Sequence, residues 1–395
     1  MIVPLLRGGM MNFRICAHAA PIGTSGPCMI LALVVAFASA PAVRAEIRIG
    51  IATPLTGPYA WTGEQVLQGA TMAVQELNAI GGVLGEPLET IVVDDYCDPE
   101  QAVAAARRLI AANVPFVVGH QCSGAAIPAS ELYEAAGIIF ISPGATNPRL
   151  TERGLRTVFR VCGRDDEQGR IAGDLLVEKW GDRRIGIVHD GQVYGEGIAQ
   201  ETRRRLHERG VEEATFEVVT PGTVDFSGLV MRMRDAAVDV LFYGGYQHEA
   251  GLIVRQASER LDGIEFVMPD GVAGEDFWLV AGEAAEGILM SALAEARSRP
   301  SAAAVVEKFR KGGYEPLVST LYAYAAVEAW AQAAEEARAT DPEAVIPVLR
   351  SAQFDTVLGT LGFDDKGDVT SIPTFDWYVW TGGEHVPVDP AELTE

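Results

Sequence analysis

The sequence is poor in positive charge. It contains 31 Lys and Arg against 54 Asp and Glu, which gives a formal net charge of -23. Residues 1–45 contain three Arg and no Asp, Glu or Lys, so removing their charge of +3 leaves -26 on the rest of the chain. A field of this sign repels the phosphates of nucleic acids and anionic membrane surfaces. We therefore expect no nucleic-acid partner.

The sequence also lacks an apolar run of transmembrane length near its start. Cys28 to Ala40 is uncharged and spans about 13 residues, whereas a bilayer needs ~20. Arg7 and Arg14 precede this run, and residues 43–45, Val-Arg-Ala, supply small residues at positions -3 and -1 of a cleavage site. This pattern is typical of a secretory signal peptide, here residues 1–45, cleaved after Ala45.

Two details of this leader qualify the interpretation. The leader is long, and translation starting at Met10 or Met11 is an open alternative. A lipoprotein is disfavoured because Cys28 precedes the apolar run instead of closing it.

Cysteine is scarce, with five in the chain and three after the predicted leader. Cys97, Cys122 and Cys162 allow at most one intramolecular disulfide. Cys97 and Cys122 each follow a strand-like run, and these two runs would be neighbours in a parallel sheet, so we predict that they pair. Cys162 lies in a short β-like run and is expected to be a buried thiol.

Several features of enzymes are missing. Residues 46–395 contain five His, scattered singly, which disfavours a metal site. No intact G-x-G-x-x-G follows the first strand, which disfavours a dehydrogenase. His120 and Cys122 would point to opposite faces of a strand, and a disulfide would remove the thiolate. We predict no catalytic residues, no metal and no cofactor.

What the sequence does contain is a regular alternation of strands and helices over a length sufficient for two domains. The first unit has strands at Ile47–Ile51, Leu88–Asp95, Pro115–Gly119 and Ile138–Ile141, with helices at Val66–Leu77, Pro99–Ala112 and Ala125–Ala136. The second unit has helices at Asp165–Trp180, Glu196–Arg209, Phe226–Ala237 and Glu249–Leu261, with strands at Ile185–His189, Thr215–Val219, Val240–Tyr243 and Phe266–Met268. Residues 301–352 are mostly helical and Thr374–Trp380 is a last strand. The pattern predicts an α/β protein with two parallel sheets.

Ligands of open parallel sheets bind beyond the carboxyl ends of the strands. Ser123, Gly144, Thr146 and Asp270 all follow predicted strands there. Ser123 would offer a hydroxyl to a carboxylate, and Asp270 a carboxylate to an ammonium. From the residues alone, Ser123 is better explained as a helix N-cap and Asp270 as a solvent-exposed turn residue.

Five motifs together resemble the periplasmic branched-chain amino-acid (leucine/isoleucine/valine) binding proteins of ABC transporters. They keep their order and spacing from about Ile47 to Trp380, and they are Asp94-Asp95-Tyr96-Cys97-Asp98-Pro99, Gly119-His120-Gln121-Cys122-Ser123, Ser142-Pro143-Gly144-Ala145-Thr146, His189-Asp190 with Tyr194-Gly195-Glu196-Gly197, and Tyr243-Gly244-Gly245-Tyr246. The resemblance implies a type I periplasmic binding fold, with two Rossmann-like lobes joined by three crossings and closing by hinge motion.

The resemblance also implies lobe boundaries. The N-terminal lobe would comprise residues 46–163 and 295–370, and the C-terminal lobe residues 164–294 and 371–395. Cys97 and Cys122 match the disulfide of the family.

The resemblance places the carboxylate of a bound amino acid against the first lobe. Ser123 and Thr146, with the main chain of Gly144, would hold this carboxylate and share in holding the amine. Ala145 lies in the same motif and is included among the ligand-binding residues.

The second lobe would close on the ligand through Tyr194 and Tyr246. Asp270 occupies the position where the family usually has Glu to bind the α-ammonium. The charge is kept, but the reach is shorter by one methylene, which would shift the ligand backbone or admit a different head group.

Tyr59, Trp61 and Thr62 replace a segment that shapes the side-chain pocket in the family. Trp61 would line an aliphatic or an aromatic side chain, with a surface aromatic as the alternative. The expected ligand is a branched-chain or other hydrophobic amino acid. A related amide, an aromatic or an aliphatic carboxylate is the alternative. We expect a periplasmic monomer that serves ABC permease subunits at the inner membrane, with presentation of the ligand to a chemoreceptor as the alternative.

Overall fold

Helices and strands alternate through most of the chain in the computed structural model, which describes residues 46–389 and 391. The predicted signal peptide lies outside these residues. The helices are α1 (Ala60–Ala79), α2 (Pro99–Ala111), α3 (Ser123–Ala136), α4 (Asp165–Trp180), α5 (Val193–Glu208), α6 (Ser227–Asp235), α7 (Gln247–Ser258), α8 (Glu275–Ala281), α9 (Ala303–Lys311), α10 (Val318–Ala337) and α11 (Pro342–Ser351).

The strands belong to three sheets. They are β1 (Ile47–Thr53), β2 (Leu88–Asp94), β3 (Phe116–Gly119), β4 (Ile139–Ser142), β5 (Val158–Arg160), β6 (Ile185–His189), β7 (Thr215–Val218), β8 (Val240–Gly244), β9 (Glu265–Met268), β10 (Leu289–Leu293), β11 (Phe354–Thr356), β12 (Gly359–Phe363), β13 (Val369–Thr370), β14 (Phe375–Thr381) and β15 (Glu384–Pro387).

The first sheet is five-stranded, in the order β2-β1-β3-β4-β5, and all its neighbours are parallel. Ile51 in the interior strand β1 pairs with Val92 on one side and Val118 on the other. Because the strands are parallel, the loops that follow β1, β3 and β4 leave the sheet at one edge.

The second sheet is seven-stranded, in the order β15-β14-β10-β9-β8-β6-β7. Strands β7, β6, β8, β9 and β10 are parallel, whereas β14 pairs with β10 in the antiparallel sense and β15 continues from β14. The two α/β units predicted from the alternation are confirmed as two separate sheets.

Helix α10 is the central helix of the first core. Gly69 in α1 packs so closely against it that a Cβ there would meet the Thr320 carbonyl oxygen at 2.0 Å, so the α1–α10 contact requires glycine. On another side of α10 the buried Trp330 ring stacks on Phe116 of β3, with ring centroids 4.8 Å apart. These contacts hold α10 between α1 and the first sheet.

The chain crosses between the sheets more than once. After β10 of the second sheet come α9, α10, α11 and the small β11-β12-β13 sheet, and then β14 returns to the second sheet. The lobe boundaries given above stay a prediction. None of the helices in residues 46–389 is long and apolar enough to cross a membrane.

Several helices begin earlier than predicted. Helix α1 starts at Ala60 instead of Val66, α3 at Ser123 instead of Ala125, and α5 at Val193 instead of Glu196. The apolar stripe used for the prediction appears only after these starts, because the first residues of the three helices are mostly polar, aromatic or small. The prediction of α2 with Asp98 as N-cap is confirmed, since its carboxylate accepts the Glu100 and Gln101 N–H groups at 2.9 Å.

The predicted disulfide joins Cys97 and Cys122, whose Cα atoms are 5.5 Å apart. It ties the loop after β2 to the start of α3. Cys162 is a buried free thiol, and burial raises its pKa to about 12. This cysteine is therefore a core residue and not a nucleophile.

Helix α10 also carries a carboxyl group whose charging is unfavourable. Glu328 accepts the Val357 N–H at 2.8 Å, and burial raises its pKa from 4.5 to about 7. A raised folded-state pKa means that the unfolded chain loses its proton first, so this group lowers stability as pH rises from about 4.5 to 7.

We expect Glu328→Gln to be neutral at pH 4 and to raise the free energy of unfolding at pH 8 by about 1–3 kcal/mol. Urea unfolding at the two pH values measures this difference. Glu336→Gln, on the exposed side of the same helix, removes the same formal charge and is the control. An equal effect of Glu328→Gln at both pH values would show that the carboxyl is not the cause.

Candidate functional site

A cavity of about 500 Å³ lies between the two sheets and receives side chains from both. Its volume is within the range of small-molecule binding sites. Eight of the residues singled out from the sequence line it, namely Trp61, Thr62, Ser123, Gly144, Thr146, Tyr194, Tyr246 and Asp270. The edge of the first sheet and the opposing edge of the second therefore bring together residues that are far apart in sequence.

Two of the residues singled out do not line this cavity. Tyr59 packs its ring on Tyr246, with centroids 4.7 Å apart, and its hydroxyl accepts a hydrogen bond from Gln192 at 3.1 Å. Ala145 is fully buried behind the wall, where its N–H donates to Ser142 Oγ at 2.9 Å. Tyr59 thus joins the two halves, and Ala145 supports the loop that carries Thr146.

The first half contributes two hydroxyl groups. Ser123 is the first residue of α3, which follows the N-cap residue Cys122, and it is 2% exposed. Its Oγ accepts the Asn147 N–H at 3.2 Å instead of capping its own helix, so the N-cap interpretation is wrong. A hydroxyl that accepts in this way keeps its own proton for donation. Thr146 is almost fully buried in the adjoining loop.

The second half contributes a tyrosine and an acid that are bonded to each other. Tyr194 donates its hydroxyl proton to Asp270 Oδ1 at 2.7 Å and accepts the Gly271 N–H at 2.9 Å. A Cβ on Gly271 would meet the Gly245 carbonyl oxygen at 2.2 Å, so this close approach requires glycine. Burial raises the pKa of Asp270, while the Tyr194 hydrogen bond opposes that rise. Asp270 is therefore not a turn residue in solvent.

Asp165 is a second acid near this point, and sequence reasoning missed it as a site residue. It is the first residue of α4 and is fully buried. Neither of its carboxylate oxygens has a partner with good hydrogen-bond geometry among the described residues, although the neighbouring Thr146 hydroxyl partly stabilises the charge. Asp165 does not itself line the cavity. Burial raises the pKa of Asp165 well above its usual range, and the nearby negative charge of Asp270 adds to the rise.

The signal that could have identified Asp165 is its place at the start of a helix, in the loop region that follows the short strand β5. Two acids close together in a dry site repel each other, and removing their charges from water costs several kcal/mol. A cation bound at Asp270, which lines the cavity, would offset part of that cost. This end of the cavity is therefore suited to an ammonium group.

Arg160 positions the loop after β4, which carries Thr146. Its buried guanidinium donates to the carbonyl oxygens of Ala145 at 2.8 Å and Asn147 at 3.1 Å, and its Nε lies 2.6 Å from Asp368 Oδ1. The two carbonyls flank Thr146. Arg160 thus fixes the backbone conformation that places Thr146 in the cavity wall.

The two halves also touch directly beside the cavity. Asn147, next to Thr146, donates its amide to the Val193 carbonyl at 3.0 Å. A Cβ on Gly274 would lie 3.1 Å from the Trp61 ring, so the indole covers this part of the opposite half. Trp61 is thereby a cavity residue instead of an isolated surface aromatic.

A family model described as periplasmic binding protein matches residues 46–381. The chain belongs to the periplasmic binding protein family. Two relatives share much of its length. Leu/Ile/Val-binding protein homolog 1 of Brucella melitensis is 42% identical over 89% of this chain and 95% of its own length. The leucine-, isoleucine-, valine-, threonine-, and alanine-binding protein of Pseudomonas aeruginosa is 39% identical over 87% and 92%.

A solved structure of a ligand-bound transporter protein has the same fold as this chain. The branched-chain amino acid transporter substrate binding protein LivJ from Streptococcus pneumoniae, in complex with isoleucine, superposes with a TM-score of 0.77 at 27% identity. The match covers 87% of this chain and all of LivJ. The predicted fold class, type I periplasmic binding protein, is confirmed. The relatives are binding proteins and not enzymes.

Proposed function

We propose that this protein is the periplasmic solute-binding component of an ABC importer and that it closes on a zwitterionic α-amino acid. The observation that carries the proposal is the carboxylate of Asp270 in the wall of a cavity that also contains two buried hydroxyls, with the fully buried Asp165 close to Asp270. An ammonium at Asp270 and a carboxylate at the hydroxyls would leave neither ligand charge unpaired.

The carboxylate would bind at the start of α3. Ser123 retains a donor proton, and the first N–H groups of a helix have no partner within it and carry a partial positive charge. Thr146 and the main chain of Gly144 would add donors from the loop after β4. The ammonium would contact Asp270, which lines the cavity, and the nearby carboxyl group of Asp165 would add to the attraction when it is ionised.

The names of the relatives support a branched-chain or other hydrophobic amino acid as ligand. They also support ABC permease subunits at the inner membrane as the partner. The family match begins at residue 46, directly after the predicted cleavage site, which agrees with export to the periplasm after removal of residues 1–45. We propose that the exported protein is a monomer.

A thermal-shift series on the exported protein tests the proposal, using leucine, 4-methylpentanoate, which lacks the amine, and isopentylamine, which lacks the carboxylate. A ligand at 100 times its Kd adds about 2.7 kcal/mol to stability. We expect leucine or another α-amino acid to raise the melting temperature and both truncated analogues to leave it unchanged. An equal rise with 4-methylpentanoate would rule out the ammonium site.

A further inference from the structure

Part of the cavity wall is built from carboxamide groups that have incomplete hydrogen bonding. Gln65 in α1 is 3% exposed and lines the cavity, and no hydrogen bond in the described residues involves its side chain. Gln121 lines the same cavity, and its Oε1 is buried without a partner. Neither residue was singled out as a ligand contact from the sequence.

Both amides lie near the start of α10. Gln121 donates from Nε2 to Ser319 Oγ at 3.1 Å. Gln65 lies one helical turn before Gly69, and Gly69 packs on the Thr320 backbone, so Gln65 faces the residues that begin α10. We call Gln65, Gln121 and Ser319 the amide cluster. It offers both donors and acceptors to whatever occupies the adjoining space.

The amide cluster lies next to the groups proposed to hold the ligand main chain. A Cβ on Gly144 would meet the Gln121 carboxamide at 2.3 Å, so this amide rests against the Gly144 backbone. Gln121 is also two residues from Ser123 in the chain. A ligand whose carboxylate binds at Ser123 and Gly144 therefore projects its other substituents past Gln121.

The charge around the cluster favours a neutral group. Among the described residues that line the cavity, Arg297 is the one Lys or Arg side chain. Its guanidinium pairs with Glu295 at 2.6 Å and with Glu315 at 3.3 Å. An anionic side chain of a ligand would therefore gain little from Arg297, because two glutamates already neutralise the guanidinium. A buried amide without a partner is unfavourable and gains most from a ligand that supplies one donor and one acceptor together.

We infer that the amide cluster selects an amino acid whose side chain ends in a carboxamide, as in asparagine or glutamine, over an aliphatic side chain of the same shape. This inference rests on the proposed amino-acid function and narrows its ligand class. Gln121 and Gln65 would be residues that determine specificity.

Calorimetric titration of the exported protein with shape-matched ligand pairs tests the inference. Asparagine and leucine form one pair, and glutamine and 2-amino-5-methylhexanoate form the other. We expect the wild type to bind at least one carboxamide more tightly than its aliphatic match. Gln121→Met and Gln65→Met should each shift that ratio about 10-fold towards the aliphatic ligand, the effect of one or two lost hydrogen bonds.

Gln68→Met is the matched control, because Gln68 lies on α1 and bonds to Glu64, away from the cavity lining. It should leave the ratio unchanged. If the wild type prefers both aliphatic ligands and the two variants keep that preference, the inference is wrong while the proposed function stands. Tighter binding of arginine or glutamate than of either carboxamide would also overturn it. No binding of any α-amino acid would instead overturn the proposed function.

Discussion

Replacing Asp270 with alanine is expected to weaken amino-acid binding by at least ~10–100-fold, because an ammonium left unpaired in a dry cleft costs several kcal/mol. Asp270→Asn keeps the size and can still accept the Tyr194 hydroxyl proton, so it isolates the charge. We expect a similar loss for this variant. Calorimetric titration with the best ligand of the thermal-shift series measures both.

The pH dependence of binding gives a second view of the same group. Burial raises the pKa of Asp270, so acidification protonates it earlier than an exposed Asp, and the ammonium then loses its counter-charge. Affinity should therefore fall as pH drops below neutral, and the fall should be smaller in Asp270→Asn. Asp276→Asn, in α8 and outside the cavity lining, is the control for the pH series.

For the first prediction, unchanged affinity in Asp270→Ala would refute the assignment of Asp270 as the ammonium-binding residue.

Replacing Arg160 with methionine is expected to lower the free energy of unfolding by about 3–5 kcal/mol, the usual cost of removing one partner of a buried ion pair. The change leaves two buried carbonyl oxygens without their donor and takes one cation from Asp368. Urea unfolding measures the loss. Because Thr146 lies between those carbonyls, affinity for the ligand should fall as well.

Arg164→Met is the matched control for this effect. Arg164 also pairs with Asp368, but its side chain is 18% exposed and it shares its charge with Glu152 and Asp166. We expect a loss of about 1 kcal/mol or less there. Equal losses in the two variants would mean that the acid network, and not the buried guanidinium, stabilises this region.

Regular elements with a strong apolar stripe or cap could be predicted closely. The predicted limits of α4 and β6 coincide with those observed, since apolar periodicity and bounding turns are local properties. The strand β10 and the helix α8 were not predicted. β10 is buried on both faces and has no alternating pattern, and α8 is too short for its period to be read.

The candidate site was predictable only in part. Motifs placed Ser123, Thr146, Tyr194 and Asp270 together, and the structure gathers them around one cavity. Asp165 escaped notice because an acid in the first turn of a helix is ordinary on helix-dipole grounds. Gln65 escaped it because a polar residue on an amphipathic helix normally faces solvent.

The sequence by itself determined the order of strands and helices, the two α/β units and the pair Cys97–Cys122, because each follows from periodicity, turn residues and strand neighbours within short stretches of chain. Only the tertiary structure decided that Asp165 lies close to Asp270 and that Gln65 and Gln121 line the same cavity near the start of α10. Burial and pairing arise from how the distant segments pack, and no local pattern in the chain encodes which polar groups are left without partners.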